Sequence, residues 1–211
     1  LRYLLARVAE TIADSKHGET EDLLTTLSQH TNFAQGKTEQ LPDFAALANI
    51  QVNPSEAELL NNVQEVIDGL QVYIKADQDK MLECLDIIVS GQTLDLQRFG
   101  PAKEGGIISA LSNDQELDDY AYRVAGCVGV FWSKMSLSHL ISLSPQKEKE
   151  FYEKSISFGK ALQMINILRD IPEDLRFGRC YIPRLSLGKH GIEPKDLLNP
   201  ENITQFRPLC N

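Results

Sequence analysis

Paired cysteines are missing from this sequence. Cys84, Cys127, Cys180 and Cys210 are scattered with no C-x-x-C spacing, which excludes a zinc knuckle and offers no disulfide framework. They read as reduced thiols of a cytoplasmic protein. Long apolar runs are also missing. The longest, residues 124–132, contains two glycines and is far too short to span a bilayer, and no signal-peptide pattern is present. There is no G-x-G-x-x-G after a strand, no G-x-x-x-x-G-K-[ST] and no H-E-x-x-H, so dinucleotide, P-loop and zincin fingerprints drop out. The histidines, His17, His30, His139 and His190, are dispersed and read as structural or surface residues. No serine nucleophile elbow is visible. Basic charge is short: 21 Lys and Arg stand against 30 Asp and Glu, a net charge of −9. That excludes bulk nucleic-acid binding, which needs a basic face, but not a phosphate ligand held through metal ions.

What is present is a chain of 211 residues, 42% hydrophobic, enough for one domain with a substantial core. Apolar residues recur at helical spacing, and no segment shows the period-two alternation of a sheet. The spacing predicts helices over residues 1–16, with Leu4, Leu5, Val8 and Ile12 on one side, and over 19–30. A loop follows over 31–42. One helix is expected over 54–75, with Asn53 as N-cap and Pro54 in the first turn, and another over 78–99. Gly100-Pro101 ends that one. Asp114 opens a long helix to about residue 139, Pro145 opens the next, and the remainder reads as loop with a short helix over 194–198. The fold class is all-α, a bundle spanning 1–211 as a single domain. The chain starts without Met and already amphipathic, so further sequence is expected upstream, and the end has no terminating logic.

The most informative stretch is residues 159–183. Asp170 and Asp174 are four apart, so both carboxylates leave one helix face, with Asn166 a turn earlier. Two carboxylates and an amide oxygen on one stripe suit Mg²⁺, and Arg169 and Arg179 beside them suit a phosphate oxygen. Ala161, Leu162, Ile165 and Leu168 give this helix an apolar setting. Near the other end, Arg7-Val-Ala-Glu-Thr-Ile-Ala-Asp14 repeats the device with Glu10 and Asp14. Other acidic pairs, Asp79 with Glu83 and Asp114 with Asp118, read as solvated faces. Two carboxylate walls on distant helices could hold several Mg²⁺ ions bridging to a diphosphate, which would relieve the repulsion within each wall. Between them, Ala125, Gly126 and Gly129 form a small-residue strip that serves either close helix packing or room for a long apolar ligand. Tyr120 is either a core residue or one whose hydroxyl meets a cavity. Asp95 sits in an apolar helix and needs a partner.

These pieces resemble the squalene/phytoene synthase family, the head-to-head isoprenyl diphosphate synthases. The resemblance rests on residues 7–14, on Gly91-Gln-Thr-Leu-Asp-Leu-Gln-Arg-Phe99, on Tyr120-Ala-Tyr-Arg-Val-Ala-Gly-Cys-Val-Gly129 and on residues 163–183, and its flavour is that of bacterial squalene synthase-like members. It implies an α-helical isoprenoid synthase fold with a central cavity. It implies Mg²⁺-assisted condensation of two farnesyl or longer prenyl diphosphates through presqualene diphosphate, with NADPH as hydride donor where squalene is made. Carried over by position, Glu10, Asp14, Asp170 and Asp174 become Mg²⁺ ligands with Asn166 in the metal shell. Arg7, Gln163, Asn166, Arg169 and Arg179 become diphosphate contacts, and Tyr120 becomes the cavity tyrosine. An oily product implies peripheral contact with a membrane surface. Two departures stand out. The family's first motif begins with Asp where this chain has Glu10. The resemblance also places substrate-gripping and cavity-closing helices before Leu1 and after Asn211. These departures motivate a second reading, a non-catalytic relative acting as an assembly or scaffold factor. Head-to-tail prenyltransferases and terpene cyclases share the metal logic but compose their acidic motifs differently.

Overall fold

A computed structural model of the chain describes residues 1–15, 18–102 and 104–210. The expectations for His17 and for the thiol of Cys210 lie outside what is described. Helices dominate: α1 (Arg2–Ala13), α2 (Thr20–Ala34), α3 (Ala45–Asn49), α4 (Pro54–Asn61), α5 (Val63–Asp68), α6 (Lys75–Phe99), α7 (Asp114–Ala121), α8 (Cys127–His139), α9 (Pro145–Arg176), α10 (Arg184–Gly188) and α11 (Ile203–Phe206). One small sheet joins β1 (Ser109–Ala110) to β2 (Arg179–Cys180) in parallel. Two-residue strands are too short to show a period in sequence.

The helix starts follow local chemistry. Asn53 caps α4 by accepting from the Ser55 N–H at 3.0 Å, with Pro54 in the first turn. Asn113 caps α7 in the same way, accepting from Glu116 N–H at 3.0 Å. Three expected boundaries move. The expected 54–75 helix is broken at Asn62, whose side-chain amide turns back to donate to Glu58 O at 2.8 Å, and it ends in a 3₁₀ turn at Gly69–Val72. The expected 114–139 helix is interrupted by a π-helical segment, Tyr122–Gly126. The second helix runs four residues beyond its expected end, into the predicted loop.

Two apolar clusters form the core. In the first, α1, α2 and α6 meet through Leu5, Val8, Ile12, Leu27 and Leu85, joined by Cys127 and Phe131 of α8. Each such buried side chain contributes roughly 1.5–3 kcal/mol. The second gathers Leu111, Tyr120, Ile167, Leu175, Tyr181, Ile182 and Leu187 around α9 and β2. Cys84 and Cys127 Sγ lie 4.0 Å apart across α6 and α8, well beyond the roughly 2.05 Å of a disulfide bond.

One expectation about the long helices is corrected and one open alternative is decided. The apolar setting assigned to α9 is not found, because Phe158, Leu162, Ile165 and Leu168 are exposed, Phe158 to 66% and Ile165 to 60%. The face that α9 buries carries Gly159, Ile167 and Leu175 instead, and no described element covers the opposite stripe. The small strip on the 118–132 stretch is not ligand space. A Cβ on Gly129 would lie 2.1 Å from Ser155 O, and one on Gly159 2.4 Å from Ala125 O, so the backbones of α8 and α9 are in direct contact there. Among the described residues, no helix is long and apolar enough to cross a membrane.

His30 in α2 is fully buried, edge-on to Phe44. Burial lowers its pKa to about 4; a backbone contact with Leu5 opposes this only in part, and neither ring nitrogen has a partner of good hydrogen-bond geometry. The folded state therefore holds His30 neutral between pH 4 and 6.5, where the unfolded chain takes up the proton. Stability is lost as pH falls through that window, by roughly 3 kcal/mol at its foot. Buried Asp95, with its pKa raised, acts in the opposite sense over the same range. Denaturant titrations from pH 8 to pH 4 should therefore show His30→Leu losing roughly 3 kcal/mol less stability than the parent. Parallel curves would refute this.

Candidate active site

A cavity of about 610 Å³ opens between α1, α4, α9 and β2. Its walls come from distant parts of the chain: Arg7 and Asp14 from α1 and its end, Glu56 from α4, Asp170, Glu173 and Asp174 from α9, and Arg179 from β2. Local structure explains each position. Asp14 lies at the C-terminal cap of α1, where its N–H still donates to Glu10 O at 2.8 Å, so the helical offset from Arg7 is kept. Asp170 and Asp174 sit one turn apart on α9 around Pro172, which removes one backbone N–H without ending the helix. Gly178, at φ +77°, turns the chain sharply from α9 into β2, and this delivers Arg179 to the cavity.

Of the residues singled out from sequence, five share the cavity wall: Arg7, Asp14, Asp170, Asp174 and Arg179. The two ends of the chain are joined there by Arg179 Nη1 donating to Asp14 Oδ1 at 2.9 Å. The other five stand off the wall. Glu10 is half-exposed and accepts from Arg7 Nη1 at 3.1 Å, so it reaches the cavity through Arg7. Arg169 is turned outward onto its neighbour Asp170, at 2.7 and 2.6 Å. Gln163 and Asn166 lie earlier along α9 and are not in the cavity wall. Tyr120 is not in the wall either. It is buried in the second cluster and stacked on Tyr181, with ring centroids 4.5 Å apart.

Several wall residues escaped the sequence reading. Glu56 pairs with Arg7; its position next to the Asn53-Pro54 cap marks it as a first-turn residue and nothing more. Glu173 lies within the acidic window but outside the i, i+4 pattern. Outside the wall, Tyr181 was missed as well; its hydroxyl donates to buried Asp95 at 2.6 Å and supplies the partner that Asp95 required.

The electrostatics are those of a site short of positive charge. Burial and the nearby Asp170 raise the pKa of Asp174 to about 7, with Arg179 opposing. Asp170 is held below the ordinary carboxylate range by its bond to Arg169. Burial works against the Arg179 charge, yet Tyr181, Asp14 and Asp95 hold its pKa above the usual arginine value. Arg179 is only 7% exposed, and its Nε and Nη2 have no partner. Carboxylate oxygens in this number suit a hard divalent cation, and the depressed acidity of Asp174 marks a carboxylate that a cation would relieve. The donors therefore fit Mg²⁺ in kind. They are not yet gathered: among the described residues, no three His, Cys, Asp or Glu side chains stand close enough to hold a metal ion, and Asp14, Asp170 and Glu10 are each tied to an arginine.

Known proteins are similar to this sequence over long stretches. A cyanobacterial 15-cis-phytoene synthase from Synechocystis is 35% identical over 126 residues, 58% of this chain and 34% of that protein. Tomato phytoene synthase 1 is 31% identical over 144 residues, 65% of this chain and 32% of that protein. A bifunctional lycopene cyclase/phytoene synthase of Neurospora crassa is 38% identical over 93 residues, 43% of this chain and 15% of that protein. The chain thus spans about a third or less of the length of these relatives. The model of the squalene/phytoene synthase family, a family of prenyltransferases, matches residues 1–211. With acids from α1 and α9 facing one cavity and the family model matched along the whole chain, this protein belongs to the squalene/phytoene synthase family.

Proposed function

We propose that the cavity binds the diphosphate of an allylic prenyl diphosphate and that the protein condenses two such molecules head to head. The observation that carries this reading is Asp14, Asp170, Asp174, Arg7 and Arg179 sharing one cavity wall. In the proposed reaction the C–O bond of the first substrate breaks and the diphosphate leaves with the bonding pair. Arg179 and Arg7, both in that wall, stabilise the charge that develops on it. The double bond of the second substrate attacks the allylic cation, and proton loss closes a cyclopropane, giving a presqualene-type diphosphate. A second ionisation and rearrangement then yields the product. A divalent metal, generally Mg²⁺ or Mn²⁺ in this family, would be held by Asp14, Asp170 and Asp174 and would supply Lewis-acid neutralisation of the leaving diphosphate.

The chain length and the final step are part of the proposal. The curated names of the relatives favour a phytoene-type triene, formed by proton loss. The squalene route needs hydride from NADPH, and its support is the flavour of the motifs alone. Incubating the full chain and Mg²⁺ with farnesyl or geranylgeranyl diphosphate, with and without NADPH, and identifying products by mass spectrometry separates these outcomes. The expected result is a metal-dependent C40 triene from geranylgeranyl diphosphate, unaffected by NADPH. An NADPH-dependent C30 product from farnesyl diphosphate would move the assignment to squalene. The scaffold reading draws on the arginine-tied carboxylates. Absence of both turnover and metal-dependent ligand stabilisation would favour it. Peripheral membrane contact is proposed on the oily product alone, and cytoplasmic placement on the reduced thiols alone.

A further inference from the structure

Asp95 is 3% exposed about one turn before the end of α6, where an unpartnered carboxylate would be costly. Its Oδ2 accepts from the Tyr181 hydroxyl at 2.6 Å, while Oδ1 has no partner. Tyr181 follows β2 directly. Side chains two apart on an extended segment leave the same face, so Tyr181 and Arg179 point to the same side. Arg179 reaches α1 through Asp14 at 2.9 Å, and Tyr181 reaches α6 through Asp95. The strand that carries the buried guanidinium is thus fastened on both flanks.

The second apolar cluster packs Cys180, Tyr181 and Ile182, and the small sheet adds little to that. The parallel pairing of β1 and β2 is two residues long, and the backbone bonds flanking it are Ser109 N–H to Gly178 O at 2.9 Å and Leu111 N–H to Cys180 O at 3.0 Å. The Tyr181 ring is wedged between Phe99, at 5.4 Å and 70°, and Tyr120, at 4.5 Å and 21°. That packing sets the plane of the ring. The bond to Asp95 sets how far along α6 the ring, and the strand behind it, comes to rest.

We infer that Asp95 is a positioning residue for Arg179, acting through the Tyr181 hydroxyl. Its functional meaning rests on the reading of the cavity as a diphosphate site, whose wall Arg179 lines. The physical claim stands without it. Asparagine at position 95 still offers an oxygen to Tyr181; alanine does not, and phenylalanine at position 181 keeps the ring stack but removes the donor.

The test is the rate at which phenylglyoxal modifies Arg179 in the folded chain, read by peptide mass spectrometry, with and without Mg²⁺ and inorganic pyrophosphate. Circular dichroism confirms that each variant is folded. Asp95→Ala and Tyr181→Phe should each speed modification roughly tenfold, the worth of one hydrogen bond to a charged group. Asp95→Asn, which keeps the acceptor for Tyr181 but removes a carboxylate near Arg179, should fall between the parent and Asp95→Ala. The Asp95→Ala, Tyr181→Phe double variant should be no faster than either single one, because the two residues act as one unit. An unchanged rate in Tyr181→Phe, or rates that multiply in the double variant, overturns the inference. Loss of pyrophosphate protection in the parent protein would count against the diphosphate reading instead and would leave the rate pattern as support for the positioning role.

Discussion

Asp174→Asn and Asp170→Asn should each lower metal-dependent diphosphate release from a prenyl diphosphate by about a hundredfold or more, the scale of losing one charge-stabilising contact in a transition state. The two carboxylates share one turn of α9 and one cavity. Asp174 is the more buried and already sits in a field that raises its pKa to about 7. Asp170 is the more exposed and, among the described residues, is bound by the neighbouring Arg169, a weak tether for an exposed pair. Asparagine keeps the shape and removes the charge, so the loss should fall mainly on kcat once substrate is saturating. Asp79, exposed and paired with Lys75 at 2.7 Å on α6, is the matched control, and Asp79→Asn should leave the rate unchanged. Equal rates in parent, Asp170→Asn and Asp174→Asn would remove α9 from the chemistry.

The largest expected loss of stability comes from Gly129→Ala. The new Cβ would meet the Ser155 carbonyl at 2.1 Å for oxygen and 2.5 Å for carbon. Both atoms belong to the backbone of α9, so no side-chain rotation relieves the contact. Helices α8 and α9 must move apart, and the cost should exceed the ~1–3 kcal/mol of ordinary overpacking, a large share of the roughly 5–15 kcal/mol that holds a domain folded. Gly159→Ala presses on Ala125 O at 2.4 Å from the other side and should behave alike. Gly188, at the end of α10 with nothing within 4 Å of its Cβ position, should tolerate alanine with no loss. Urea denaturation of the three variants checks this. A Gly129→Ala midpoint equal to that of Gly188→Ala would show that the helices are not in backbone contact.

These two expectations differ in how far the sequence alone reached them. The acids of the cavity were legible because an i, i+4 offset on a helix survives any change in its surroundings, and Asp14, Asp170 and Asp174 all lie on such stripes. The glycine contact was legible only as an alternative. A small-residue strip says that something comes close, and only the structure shows that it is the α9 backbone. The exposed stripe of Phe158, Leu162, Ile165 and Leu168 teaches the same limit from the other side. Periodicity marks an apolar face without telling whether an element covers it. Glu56 could not be read at all, since its partner Arg7 is 49 residues away and no local pattern links them. Tyr181 was missed because two residues of strand are too few to show which side chains share a face. The break at Asn62 was hidden by Leu59, Val63 and Val66, whose spacing runs on as though the helix did.

The central claim is that carboxylates from α1 and α9 act on one diphosphate through a divalent metal. Calorimetric titration of inorganic pyrophosphate into the full chain, with and without Mg²⁺, tests it most directly when repeated on Asp14→Asn and Asp174→Asn. The account requires binding that appears only with Mg²⁺ and weakens about tenfold or more in both variants, an effect of the size expected for one charge-assisted contact. Binding of equal strength without the metal, or insensitive to the change at Asp14, would contradict it.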